Sequence, residues 1–249
     1  MNRIRTHARN LRKQLYLSNH VPINFSSIRK ILDFNLIFKP FARNSFSGIA
    51  LKRNKYNFII INSSKTLGHQ NFTLGHELYH LYIQNNFTAS VCNTGNFANN
   101  TDKEEKYADY FSINFLFPDE GIEKYIKNKS VLKNIDTIDL PEIIRLENIF
   151  GVSHHAALIK LKEMKLISTN RFNILKEKII NKCNELGYET SLYTPTNKNI
   201  IFSNYISLIE KAFIDEKIST GKYNELYYEL GLKPPDKQKC DEDFELTNL

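Results

Sequence analysis

No stretch of this chain restricts its folding more than Leu74-Gly75-His76-Glu77-Leu78-Tyr79-His80-Leu81-Tyr82. Read as a helix, it puts His76 and His80 one turn apart on the same face, because side chains four residues apart are neighbours there. Two imidazoles so placed can grip one metal ion. Glu77 stands one step round the helix from His76, where its carboxylate can take a proton from a water polarised by the ion without ligating the ion itself. Two ligands from one helix do not complete a site, so a third has to come from elsewhere.

The segment 102–118 supplies candidates. Ala108, Phe111, Phe115 and Leu116 follow helical spacing, and Pro118 is a stop signal. Glu105 and Asp109 are four residues apart and share a face of that helix. In such a pair one carboxylate can bind the metal while the other orients a ligand histidine through its second ring nitrogen. Acidic residues at a helix start also suit the helix dipole, so this segment is informative only beside the H-E-x-x-H pattern of zinc peptidases.

Taken together, these residues resemble the ImmA/IrrE-type metallopeptidase family. The resemblance lies in Phe72-Thr73-Leu74-Gly75-His76-Glu77-Leu78-Tyr79-His80, in Glu105, Ala108, Asp109 and Phe111, and in Leu116-Phe117-Pro118. Gly48, Ile61-Asn62 and Phe150-Gly151-Val152-Ser153 with Ala157 and Leu161 extend it over about residues 20–168. It implies an α+β fold with a zincin-like, gluzincin-type core. It also implies one Zn2+ per chain on His76, His80 and Glu105, Glu77 as catalytic base, and Asp109 behind a ligand. The implied activity is site-specific cleavage of a helix-turn-helix repressor or antitoxin-like protein, in stress or mobile-element control. Ser112 where Ala is usual, Tyr79 where Gly is common and Phe117 in place of Met depart from the family pattern without touching a proposed ligand. The residue that would stabilise the oxyanion is unknown; Tyr79, Tyr107, Tyr110 and His69 are candidates by proximity alone.

The remaining chain frames this site. Residues 4–17 read as a basic amphipathic helix, and 34–38, 48–51 and 56–61 as three strands of a small sheet, the third leading into the metal helix. An edge strand beside such a helix can take a substrate peptide by strand addition. Residues 85–100, rich in Asn, Thr, Gly and Ser, read as a loop or lid. Residues 140–150 and 153–164 around Gly151 form a helix-turn-helix-like pair in which His154 and His155 read as surface residues. The metallopeptidase domain is expected over 1–168. A mostly helical region follows over 169–249, with helices at 172–186, 205–213 and 223–230 and an acidic, disordered tail.

Charge motivates a second reading. Thirteen Lys or Arg face Asp33 alone within residues 1–65, so a DNA- or partner-binding regulator with a structural or vestigial zinc site is the alternative. The charges are scattered among elements instead of clustered with aromatics, which disfavours direct nucleic-acid binding. No apolar run is long enough to span a membrane and the N-terminus lacks the apolar core of a signal peptide, so the expected location is the cytoplasm. Cys92, Cys183 and Cys240 are odd in number and far apart, which fits reduced thiols and assigns them no role.

Overall fold

The three runs of aromatic and β-branched residues form strands β1 (Asn35–Lys39), β2 (Gly48–Arg53) and β3 (Tyr56–Asn62). This computed structural model describes residues 2–42, 44–54, 56–94, 102–202, 205–230 and 232–235. Among the described residues the sheet has five strands, not the expected three: β4 (Ala89–Cys92) and β5 (Ile200–Phe202) extend it on either side, in the order β4-β2-β3-β1-β5. β1 runs parallel to β3, and every other pairing is antiparallel. β4 and β5 are four and three residues long, and a segment that short takes its conformation from the edge it pairs with more than from its own propensity.

Helix α1 (Asn2–Gln14) buries Ile4, Ala8 and Leu11 and packs on α4 (Lys103–Leu116). Its Arg12 is wholly buried. The guanidinium donates to Phe115 O at 2.5 Å, satisfying a carbonyl in the last turn of α4, and to Ser18 O at 2.7 Å and Val21 O. α2 (Phe25–Leu32), capped by Asn24, then leads into β1. After β3, Thr66 accepts a hydrogen bond from His69 N and starts α3 (Leu67–Tyr82).

α3 is the axis of the fold. Twelve of its sixteen residues are buried, so its polar residues must find partners inside the protein. One apolar core, with Leu36, Ile59, Leu74, Leu78 and Phe111, fills the space between α1, the sheet, α3 and α4. A second, with Phe72, Phe117, Ile143, Leu146 and Leu161, lies under α5 (Asp119–Tyr125), α6 (Leu140–Phe150) and α7 (His154–Glu163). Gly151 at φ 64° caps α6 in the left-handed conformation, and Ser153 caps α7 by accepting from Ala156 N. The helix-turn-helix-like pair is therefore present, but α7 buries Ala156, Ala157, Leu158, Lys160 and Leu161 in the domain.

Two expectations for the later chain change. The helix foreseen over 172–186 is two, α8 (Thr169–Leu175) and α9 (Ile179–Glu185), because Lys178 takes a left-handed conformation at φ 56°. The first compact unit also runs to Phe202, beyond the boundary expected at 168, and a second unit follows. Leu175, Cys183, Leu192 and Tyr193 are buried, and β5 pairs with β1, so residues 169–202 complete the first unit. In the second unit α10 (Tyr205–Ile214) and α11 (Thr220–Glu229) pack through Phe213 and Tyr223, whose ring centroids are 4.4 Å apart. The acidic tail, Cys240 and positions 95–100 of the expected lid lie outside the described residues.

Candidate metal centre

A close approach of α3 and α4 builds the site. A Cβ on Gly75 would stand 2.5 Å from Ser112 Oγ and 3.4 Å from Ser112 Cα, so only glycine admits this spacing. Ser112 Oγ donates to Phe72 O at 2.6 Å and fastens the same contact. One turn toward the start of α4, Asp109 Oδ1 then meets His76 Nδ1 at 2.8 Å. One turn earlier still, Glu105 Oε2 lies 3.2 Å from His76 Nε2 and Glu105 Oε1 3.3 Å from His80 Nε2. The helical spacing in each segment thus becomes one cluster only because the two helices touch.

The outer ring nitrogens decide where the inner ones point. His76 Nδ1 faces Asp109, and His80 Nδ1 faces Gln84 Oε1 at 2.5 Å, so each Nδ1–H donates outward and leaves an Nε2 lone pair facing inward. The two Nε2 atoms are 3.0 Å apart beside the Glu105 carboxylate. Two lone pairs and a carboxylate turned on one point suit a cation. The donor set of imidazole nitrogen, carboxylate oxygen and thiol sulfur suits zinc.

Cys92 is the residue that sequence reasoning left without a role. Donor atoms of His76, His80, Cys92 and Glu105 all lie within 4.8 Å of one another, in the one such cluster among the described residues. β4 brings Cys92 there through its pairing with β2, where Cys92 stands opposite Gly48. The local signal was faint: a four-residue extended stretch, Ala89–Cys92, inside a polar connection.

Glu77 is fully buried, and its Oε1 has no hydrogen-bond partner among the described residues. A Cβ on residue 48 would come within 2.5 Å of that oxygen and of Thr73 Cγ2, so Gly48 is what makes room for the carboxylate. Asn62 holds the connection that delivers Gly48: it accepts from Phe41 N and donates to Ala42 O and Phe46 O.

Burial pushes the Glu77 carboxyl well above the usual range, helped by the charge of Cys92 and opposed by His76 and His80. Burial alone would lower the two histidines, but hydrogen bonds to Asp109, Cys92 and Glu105 raise His76 well above its ordinary value. Those to Cys92 and Glu105 carry His80 to about 10. Burial works against ionisation of Glu105 and Cys92, yet hydrogen bonds from both histidines hold the carboxyl far below its usual range and bring the thiol to about 6. The surroundings thus call for positive charge at the two imidazoles. A divalent cation supplies the same charge in place of two protons.

The IrrE N-terminal-like domain of the peptidase M78 family matches residues 29–162. The chain belongs to this family. A search of the curated proteins found no match. Every residue of the cluster lies inside the matched M78 segment, while α1, α9, β5 and the second unit lie outside it.

The four residues considered for the oxyanion fare differently. Tyr79 donates its hydroxyl to Glu104 Oε2 at 2.7 Å and Tyr110 donates to Glu163 Oε1 at 2.5 Å, so both are committed elsewhere. Tyr107 stacks under the Lys103 ammonium. His69 Nε2 lies 2.9 Å from Ser47 Oγ and 3.2 Å from Thr94 Oγ1. Burial first, then Lys65 and His76, lower its pKa to about 4, so it is neutral at pH 7. His154 also departs from expectation: it is buried between Glu147 Oε1 at 2.7 Å and Leu175 O at 2.9 Å, not a surface residue.

Proposed function

We propose that this M78 peptidase is a zinc-dependent endopeptidase of the cytoplasm that cuts one site in a protein partner, a helix-turn-helix repressor or antitoxin-like protein. The observation that carries the reading is the unpartnered Oε1 of buried Glu77 beside the convergent Nε2 atoms and the Glu105 carboxylate. A structural zinc site has no use for a buried carboxylate oxygen left without a partner; a hydrolytic one needs it as a proton acceptor.

When bound, zinc would polarise the scissile carbonyl and acidify a water. His76, His80 and Glu105 would hold it. Asp109 keeps the His76 ring in the tautomer that presents Nε2. Glu77, its carboxyl made more basic by burial, takes the water proton and returns it to the leaving amine. β4 is the sheet edge nearest this chemistry, and its outward Val91 is 67% exposed, which supports an extended peptide aligned by strand addition.

What weighs against a nucleic-acid role is how the basic residues of α1 are used. Arg5 pairs with Asp119 and Glu163, Arg9 with Glu120, and Arg12 is buried on α4. α7, the second helix of the helix-turn-helix-like pair, is largely committed to the core.

The test combines metal content with cleavage. Reconstituted wild type should hold about one zinc by elemental analysis and Glu105→Ala should lose it. Glu77→Gln should keep the zinc while cleavage of repressors or antitoxins encoded beside the gene, followed by intact mass, falls about 10²- to 10⁴-fold. Wild type without zinc, or Glu77→Gln cutting at the wild-type rate, would reject the reading.

A further inference from the structure

The thiol of Cys92 stands where the proposed hydrolysis needs water. Its Sγ lies 3.6 Å from Glu77 Oε2 and 3.8 Å from Glu105 Oε1, between the base and the metal donors. A water within reach of both Glu77 and the metal would have to occupy that space. The cluster offers two imidazoles, a carboxylate and a thiol, and four protein donors are the mark of a closed zinc site, whereas a hydrolytic site keeps one position open.

We propose that Cys92 is a fourth protein donor that closes the metal's coordination shell and keeps the peptidase latent until the thiolate leaves. The proposal rests on the metallopeptidase reading above. Burial agrees with a closed state: His76, Glu77, His80 and Cys92 are at most 1% exposed, and Glu105 alone reaches solvent, with 21% of its side chain accessible.

The backbone holds Cys92 in place. Cys92 O accepts from Ser47 N at 2.8 Å, and the residue pairs with Gly48 at the end of β4. Opening requires the sulfur to leave this position, in which Ser90 Oγ is also 3.3 Å from Sγ. Because β4 is the sheet edge, a peptide that adds to it docks on the strand whose terminal residue has to release the metal. Substrate binding and opening of the site are thereby coupled through four residues.

Cobalt(II) loaded into the full chain tests this without a substrate. Wild type and Cys183→Ser should show a near-ultraviolet thiolate-to-cobalt charge-transfer band. Cys92→Ser and Cys92→Ala should lose it while still binding about one cobalt per chain. Cobalt should also slow alkylation of Cys92 by iodoacetamide at least about tenfold, read by peptide mass mapping. That measurement needs no substitution and holds even where a variant fails to fold. Bound cobalt without the band, a band that survives Cys92→Ala, or alkylation indifferent to metal would overturn the role of Cys92 and leave the three-donor peptidase standing. Absence of bound cobalt in wild type would reject both.

Discussion

On the proposed metal site, Asp109 would govern the ion without touching it. The residue is 3% exposed and its Oδ1 is 2.8 Å from His76 Nδ1, a placement that fixes the imidazole tautomer and would offset the charge the ring shares with a bound cation. Asp109→Asn keeps the shape and removes the charge. Zinc affinity, measured by competition with a chelator, should weaken about 10- to 100-fold with the far-ultraviolet circular dichroism unchanged. Equal affinity in the two proteins would mean that Asp109 serves packing alone. Glu104, on the next turn of the same acidic stretch, accepts from Tyr79 instead. Two neighbouring carboxylates thus take different work according to the direction in which α4 presents them.

Between elements, the decisive contact is Gly75 against Ser112. The hydroxyl is the nearest obstacle to a Cβ at position 75, at 2.5 Å, and Ser112 Cβ is 3.4 Å away. Gly75→Ala should therefore destabilise the protein by about 1–3 kcal/mol through overpacking. Ser112→Ala in the same chain should recover part of that loss, so denaturant melts of the four proteins in the cycle should be non-additive. Additive effects would place the strain elsewhere. The pair also accounts for the departure from the family pattern at position 112: the serine costs room but gains a hydrogen bond to Phe72 O.

At the scale of the first unit, Glu147 ties distant segments together. It accepts from His154 at 2.7 Å and from the Tyr193 hydroxyl at 2.6 Å, while His154 Nε2 meets Leu175 O. α6, α7, the end of α8 and the turn at Ser191–Tyr193 are joined by this one buried network. Burial would lower the His154 pKa, but Glu147 and Leu175 O reverse that and raise it above the ordinary 6.5. A histidine raised in the folded state contributes stability that is fully present below the unfolded pKa and is lost as pH climbs through the folded one. Deprotonation leaves a lone pair on Nε2 facing a carbonyl oxygen. The stability gap between wild type and His154→Gln, about 3 kcal/mol at low pH, should shrink as pH rises above 6.5 toward the elevated value. Thermal melts across pH check this; a gap that widens with pH would reverse the assignment.

Local order was legible in the residues themselves. The four-residue spacings of His76 with His80 and of Glu105 with Asp109 follow from the helical period, and the stop of α4 and the turn from α6 into α7 follow from Pro118, Gly151 and Ser153. β1, β2 and β3 announced themselves through side chains suited to a pleated, half-buried surface. Which carboxylate meets which imidazole was decided by the Gly75–Ser112 approach, a contact between helices 37 positions apart in sequence by those residue numbers. Cys92 joined the donors only because β4 pairs with β2, and residues 169–202 joined the first unit only because Glu147 and β1 receive them. Short strands and buried polar networks draw their stability from partners far along the chain, so no local pattern of residues records them; the tertiary structure alone brings those partners together.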